Sequence, residues 1–188
     1  DNLSLLAAPA SLDRVYDLGA DAFDSIFDTL RMTTPCIVLD VPHQWSGWTK
    51  RVLVGADDIL VVAEPDLANL RNTKNMLSML KAARPNDRPP LYCLNQVGMH
   101  KRPEISTREF TKAIESQPIA AIPFDSRMFG TAANNAQMIA QVAAKHRTTM
   151  MFLQMAQRLT GHAVTKRSRT SFLAPIIKKL QGATARRA

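Results

Sequence analysis

The chain alternates between short, mainly apolar runs and longer stretches in which apolar residues return every three or four positions. The runs are residues 3–8, 36–41, 59–63, 91–94 and 119–122. Apolarity at consecutive rather than alternate positions predicts strands buried on both faces. Between the runs, Phe23, Ile26, Phe27 and Leu30 form a stripe at helical spacing, as do Leu67, Leu70, Met76, Leu77 and Leu80. Asp66 is placed to cap the second of these helices and Arg84-Pro85 to stop it. A third helix is expected through Phe110, Ala113 and Ile114, capped by Ser106 or Thr107. A long helical stretch should follow over 137–159, broken near Arg147 and stopped by Gly161. Repeated β-α alternation predicts an α/β fold, a doubly wound, mostly parallel sheet with flanking helices. In such sheets ligands bind beyond the carboxyl ends of the strands, which singles out residues 40–45, 63–66, 95–96 and 123–125.

Composition narrows the class. The 188 residues are 46% apolar and 21% charged, which excludes disorder for the bulk of the chain and suits a soluble domain with a sizeable core. No run of 18 apolar residues predicts a membrane-spanning helix, and no charged-then-apolar leader opens the chain. The net charge of +8 is unevenly placed. Residues 126–188 hold 11 Lys/Arg and no Asp/Glu, whereas residues 1–125 hold 13 Lys/Arg and all 16 Asp/Glu. A nearly neutral body with a basic end points to nucleic acid, an anionic membrane face or an acidic partner, without choosing among them. Cys36 and Cys93 each lie in an apolar run and are expected to be buried free thiols rather than a disulfide or metal site. Of the nine methionines, Met76, Met79, Met138, Met150, Met151 and Met155 lie on helical stripes, where core filling is expected.

Three strand ends carry chemistry. Asp40 closes one run; a carboxylate there either holds Mg²⁺ beside a nucleotide phosphate, directly or through water, or caps a turn. Asn95 closes another; its amide can meet both a donor and an acceptor on a base, or cap a turn. Pro123, in Ile122-Pro123-Phe124-Asp125, either fixes the chain's exit so that backbone groups face a ligand or simply stops a strand. A phosphate cradle of the form Gly-x-x-x-x-Gly-Lys-Ser/Thr should accompany such a site. None of the seven glycines is followed by Lys, so that pattern is absent from these 188 residues.

An ordered set of motifs carries a family resemblance. It comprises Asp40-Val41-Pro42-His43-Gln44-Trp45-Ser46-Gly47-Trp48-Thr49, Pro65-Asp66-Leu67-Ala68-Asn69-Leu70-Arg71-Asn72, Lys81-Ala82-Ala83-Arg84-Pro85-Asn86-Asp87-Arg88-Pro89-Pro90, Leu94-Asn95-Gln96-Val97, Ile122-Pro123-Phe124-Asp125 and Phe129-Gly130-Thr131-Ala132-Ala133-Asn134-Asn135. Together, from about Leu3 to Gly161, these resemble the CpaE/TadZ pilus-assembly ATPases of the MinD/ParA superfamily. The resemblance implies a deviant Walker-type ATPase fold, a homodimer formed around ATP and Mg²⁺, and a role in placing Flp/Tad (type IVb) pilus machinery at the inner membrane or a cell pole, in the cytoplasm. It implies that Asp40 stands near Mg²⁺ and the attacking water, that Asn95 reads adenine, and that Pro123 and Asp125 flank the adenine pocket. Pro42 and His43 fall in the switch segment, and Arg71 and Asn72 on a helix used for dimer or partner contact. The family's phosphate loop would lie upstream of Leu3, so Asp1 reads as an internal start and the chain alone as inactive. Ala136 stands where relatives usually have Gly. Trp45 and Trp48 either couple the switch to a partner or pack on the following helix.

Residues 1–161 thus read as a C-terminal portion of an ATPase domain and 162–188 as a basic tail. In the tail, Phe172, Leu173, Ile176, Ile177 and Leu180 share one helical face, with Lys178 and Lys179 off it. A short basic amphipathic helix suits an anionic membrane surface; a docked helix or an unstructured tail is the plainer reading. Three functions follow: an ATP-dependent positioning factor working with pilus-assembly proteins, a scaffold that no longer hydrolyses, or a ParA-like partition protein binding DNA. The pilus-type motifs favour the first and make nucleic acid the weaker partner.

Overall fold

The computed structural model describes residues 3–7 and 19–161. The amphipathic tail stripe, Phe172, Leu173, Ile176, Ile177 and Leu180, lies outside the described residues. The chain divides into two compact units between Asp125 and Ser126.

The first unit is built on three parallel strands in the order β1-β2-β3: β1 Leu60–Ala63, β2 Leu91–Val97 and β3 Ala121–Pro123. Leu60 lies opposite Leu91, and Ala63 opposite Leu94, which in turn faces Ala121. Alternate residues point to alternate faces of a sheet. One face therefore presents Val61, Ala63, Tyr92, Leu94 and Ala121, and these form the core with Phe110, Leu70, Leu77, Ile105 and Ile114. Tyr92 and Phe110 stack at 5.8 Å, and the Tyr92 hydroxyl donates to the Ser116 carbonyl at 2.7 Å, so the ring is buried without stranding its polar end.

Two helices cover that face. Helix α3, Leu67–Ala83, begins where the Asp66 carboxylate accepts from the Asn69 amide at 2.7 Å, and ends as foreseen at Arg84. Helix α4, Thr107–Ile114, begins with a full capping box: Ser106 Oγ accepts from the Glu109 amide and Glu109 accepts from the Ser106 amide. The remaining helices of the unit are α1, Ala20–Arg31, and α2, Gly47–Gly55, which pack on each other. Phe23 stacks on Trp48 at 4.4 Å, and Arg51 bridges Asp21 and Asp24 at 3.2 and 2.7 Å. Buried Arg84 donates to the Ala56 and Asp57 carbonyls and to Asp87, tying the end of α2 to the end of α3.

The second unit contains α5 Ser126–Asn134, α6 Ile139–Val142 and α7 Arg147–Thr160. The break expected near Arg147 is present. His146 Nδ1 accepts from the Thr148 amide at 3.3 Å to start α7, and Gly161 closes it at φ +69°. Met128, Ala132, Thr148, Thr149 and Met155 are buried.

Several expectations need correction. Residues 3–7 and 36–41 form no strands: Leu3, Leu5 and Leu6 are exposed, and Val38 is 89% exposed. An apolar run becomes a strand only when a neighbour takes up its backbone hydrogen bonds, and neither segment has such a ladder among the described residues. Cys36 is accordingly exposed, whereas Cys93 is buried and its thiol is pushed up to about 11 by loss of solvent. The last strand is shorter and later than 119–122, because its ladder to Tyr92 and Leu94 starts at Ile119 and Ala120 but regular pairing starts at Ala121. Met155 fills core, but Met138 and Met150 are exposed. Helix α5 was not foreseen, since Gly130 at its centre reads as a breaker.

Candidate functional site

The carboxyl edge of the sheet is organised around an irregularity in β2. Leu94 pairs with Ala121 and Val97 with Pro123, so β2 advances three residues while β3 advances two. The extra residue is a bulge at Asn95-Gln96, and Asn95 sits in it rather than at the end of the strand. Gln96 takes φ +56°, a left-handed conformation unusual for a side chain with a Cβ. Asn95 Oδ1 accepts from the adjacent Gln96 amide at 2.9 Å. That oxygen retains a second lone pair and the amide nitrogen carries two protons.

A web of charged side chains holds this bulge. Glu64, just past β1, accepts from Gln96 Nε2 at 2.9 Å and from Arg102 Nη1 at 2.6 Å. Arg102 Nη2 donates to the Gln96 carbonyl at 2.6 Å and to Glu104 at 3.1 Å, and its Nε is buried with no partner. Glu104 also accepts from the Gly98 and Met99 amides at 2.9 and 3.0 Å. These backbone donors, chiefly Gly98, with burial opposing and Arg102 helping, hold the Glu104 carboxyl below its ordinary value. The segment 96–104 thus closes as a strap held by the ion pairs of Arg102 with Glu64 and Glu104. Sequence reading missed Glu64, Gln96, Arg102 and Glu104 as individuals. The position of Glu64 and Gln96 at strand ends was the available signal; the pairing of Arg102 across 38 residues was not visible.

The strap's neighbour is the exit of β3. The Phe124 amide donates to the Val97 carbonyl at 2.8 Å, which draws Pro123, Phe124 and Asp125 beside the bulge. Pro123 and Asp125 are half-buried, and Phe124 is 41% exposed. The structure therefore brings Asn95, Pro123 and Asp125 to one edge. Asp40, Pro42 and His43 are exposed in a segment without regular structure, and no hydrogen bond or ion pair among the described residues joins Asp40 to the strand ends. Trp45 is 52% exposed, whereas Trp48 lies within α2 and stacks on Phe23 of α1, a helix that precedes it. Arg71 and Asn72 are exposed on the outer side of α3.

The donors at the bulge suit an adenine: an amide offering both a donor and an acceptor, next to an exposed aromatic ring. The metal side fits less fully. Mg²⁺ commonly binds through one or two carboxylates plus phosphate oxygens and water, and no cluster of three His, Cys, Asp or Glu exists among the described residues. Asp40 suits Mg²⁺ only with a phosphate already held. No helix among the described residues is long and apolar enough to cross a membrane.

In a parallel α/β sheet with flanking helices, the carboxyl ends of the strands are the edge where ligands bind. Comparison with known proteins places this architecture. No protein-family profile matches the chain. In sequence it is 22% identical over 166 residues to the septum site-determining protein MinD of Bacillus subtilis (strain 168), across 87% of this chain and 61% of MinD. In structure it is similar to a ParA family ATPase from Chlorobium tepidum TLS, with TM-score 0.64, 19% identity, and coverage of 79% of this chain and 60% of that one. The cell division ATPase MinD of Pyrococcus furiosus gives TM-score 0.64 at 18% identity, covering 77% and 60%. The MinC:MinD cell division protein complex of Aquifex aeolicus gives 0.63 at 16%, covering 78% and 61%. The chain has the fold of the MinD and ParA ATPases, and spans about three fifths of the length of the relatives it matches.

Proposed function

We propose that the chain is a portion of an ATP-dependent positioning and assembly factor for Flp/Tad (type IVb) pilus machinery, a nucleotide switch of the MinD/ParA type that dimerises. The observation that carries the nucleotide part is the bulged carboxyl edge, where Asn95 lies beside Pro123, Phe124 and Asp125 in a MinD/ParA fold. The pilus part rests on the ordered motifs from Asp40 to Asn135.

In this reading Asn95 meets the adenine edge while Pro123 and Asp125 shape the pocket's rim. Asp40 is the carboxylate that would hold Mg²⁺ beside the phosphates and would lie near the attacking water. The ion, when bound, supplies the positive charge that neutralises phosphate oxygens. The exposed Pro42, His43, Arg71 and Asn72 are free to report nucleotide state to a second copy or to pilus-assembly proteins. The protein acts in the cytoplasm, peripheral to the inner membrane or at a cell pole, with the basic tail as the contact to anionic lipid.

Full affinity for ATP needs phosphate-binding lysines in a glycine-rich loop, a pattern these 188 residues do not contain. In a protein that joins such a loop to this chain, Asp40→Ala abolishes ATP hydrolysis while the melting temperature stays within a few degrees. Unchanged turnover would remove Asp40 from the mechanism.

A further inference from the structure

We propose that Arg102 is a positioning residue for base recognition: it fixes the strained Asn95-Gln96 bulge and thereby the direction of the Asn95 amide. The proposal rests on the nucleotide reading of this edge given above.

Three observations carry it. First, the bulge is held away from its relaxed form. Gln96 is at φ +56° and Lys101 at φ +62°, and non-glycine residues persist there only where surrounding contacts over-determine them. Second, Arg102 supplies those contacts from both sides. One guanidinium nitrogen reaches Glu64 at the end of β1 and the other reaches the Gln96 carbonyl, each at 2.6 Å. The fork spans from one strand to the next, and a lysine, being a point charge, cannot hold both in fixed geometry. Third, Gln96 is gripped at both ends, by Arg102 on its carbonyl and by Glu64 on its side-chain amide, while its own N–H is the donor that orients Asn95 Oδ1. The Gln96 N–H lies in the Asn95–Gln96 peptide and the Gln96 carbonyl in the next one, so Arg102 acts on Asn95 by holding the φ and ψ of Gln96 that relate the two planes. Arg102 touches neither end of the Asn95 amide, so it acts through Gln96.

A base-selectivity measurement tests this. Adenosine and guanosine are titrated separately, at millimolar concentration, into the 188-residue chain and its Arg102→Ala, Arg102→Lys and Glu64→Gln variants, with affinities read from ¹H–¹⁵N chemical shifts of residues 95–98. The wild-type chain is expected to prefer adenosine. Arg102→Ala should erode that preference on the order of tenfold, as expected when one oriented hydrogen-bonding group is lost. Arg102→Lys should recover part of it, and Glu64→Gln, which keeps one acceptor oxygen but turns an NH2 toward either Gln96 or Arg102, should sit between wild type and Arg102→Ala. Should Arg102→Ala fail to fold, the two conservative variants still rank the effect. A folded Arg102→Ala, or both conservative variants, with wild-type selectivity would overturn the positioning role and leave the nucleotide site intact. A wild-type chain with no preference between the bases would overturn the nucleotide reading itself, and the positioning role with it.

Discussion

At the scale of single residues, backbone conformation decides what each glycine tolerates. Gly98 opens the strap at φ +79°, where an L side chain is disfavoured whatever the space around it. Gly98→Ala should therefore lower stability by about 1–2 kcal/mol, read as a reduced urea midpoint. Gly130 lies inside α5 with nothing within 4 Å of where a Cβ would stand, so Gly130→Ala should raise stability by about 0.5–1 kcal/mol. The same substitution thus moves the midpoint in opposite directions at two sites, and equal shifts would refute the assignment of conformations. Glu104 adds a pH dependence. Its native carboxyl titrates below the ordinary 4.5, so its contribution is complete above that value and is lost as pH falls from there through the lowered native value. Glu104→Gln should flatten the decline of the urea midpoint below pH 4.5; an unchanged slope would mean the strap does not depend on that charge. The thiols differ as well: at pH 8, iodoacetamide should label Cys36 and spare Cys93 until the protein is unfolded, as mass spectrometry of the tryptic peptides would read.

At the scale of elements, what could be read from the chain followed how local its determinants are. Both limits of α3 and the start of α4 were legible because Asp66, Ser106 and the Arg84-Pro85 stop act within one turn of the helix. The strands β1 and β2 were legible because their runs are apolar at consecutive positions; Ala63, Cys93 and Leu94 are buried, but Val62 is 59% exposed, so β1 is not buried on both faces as expected. The 36–41 run has the same local pattern and forms no strand, since pairing depends on a neighbour that local pattern does not specify. The bulge was illegible for a related reason. Its cause lies in Glu64 and Arg102, which are far from each other in sequence. Asn95 was found as a candidate, but the residues that hold it were not. The element pair α1–α2 is joined by the stack of Trp48 on Phe23 and by exposed ion pairs worth little individually. Trp48→Ala should speed amide hydrogen exchange throughout α1 and leave α4 protected; uniform exchange changes in both would show that α1 is held by something else.

At the scale of the whole molecule, the charge asymmetry takes on a definite meaning only through the fold. The surplus of basic residues begins after Asp125, and seven of them lie in 162–188, beyond the described residues. For a pilus-positioning switch the tail should bind anionic vesicles, and its deletion should abolish that binding. DNA binding by the same charges would weaken steeply with salt and would support the partition reading instead. Vesicle binding that survives deletion of 162–188 would remove the tail from membrane contact. The most direct measurement is a residue-resolved map of ATP with Mg²⁺ titrated into this chain. Binding should be no tighter than about 1 mM, because the phosphate loop pattern is missing. Chemical shift changes should concentrate at Asn95, Gln96, Val97, Phe124 and Asp125. Shifts confined to the opposite edge of the sheet, or micromolar affinity without any change at Asn95, would contradict a nucleotide site at the bulge.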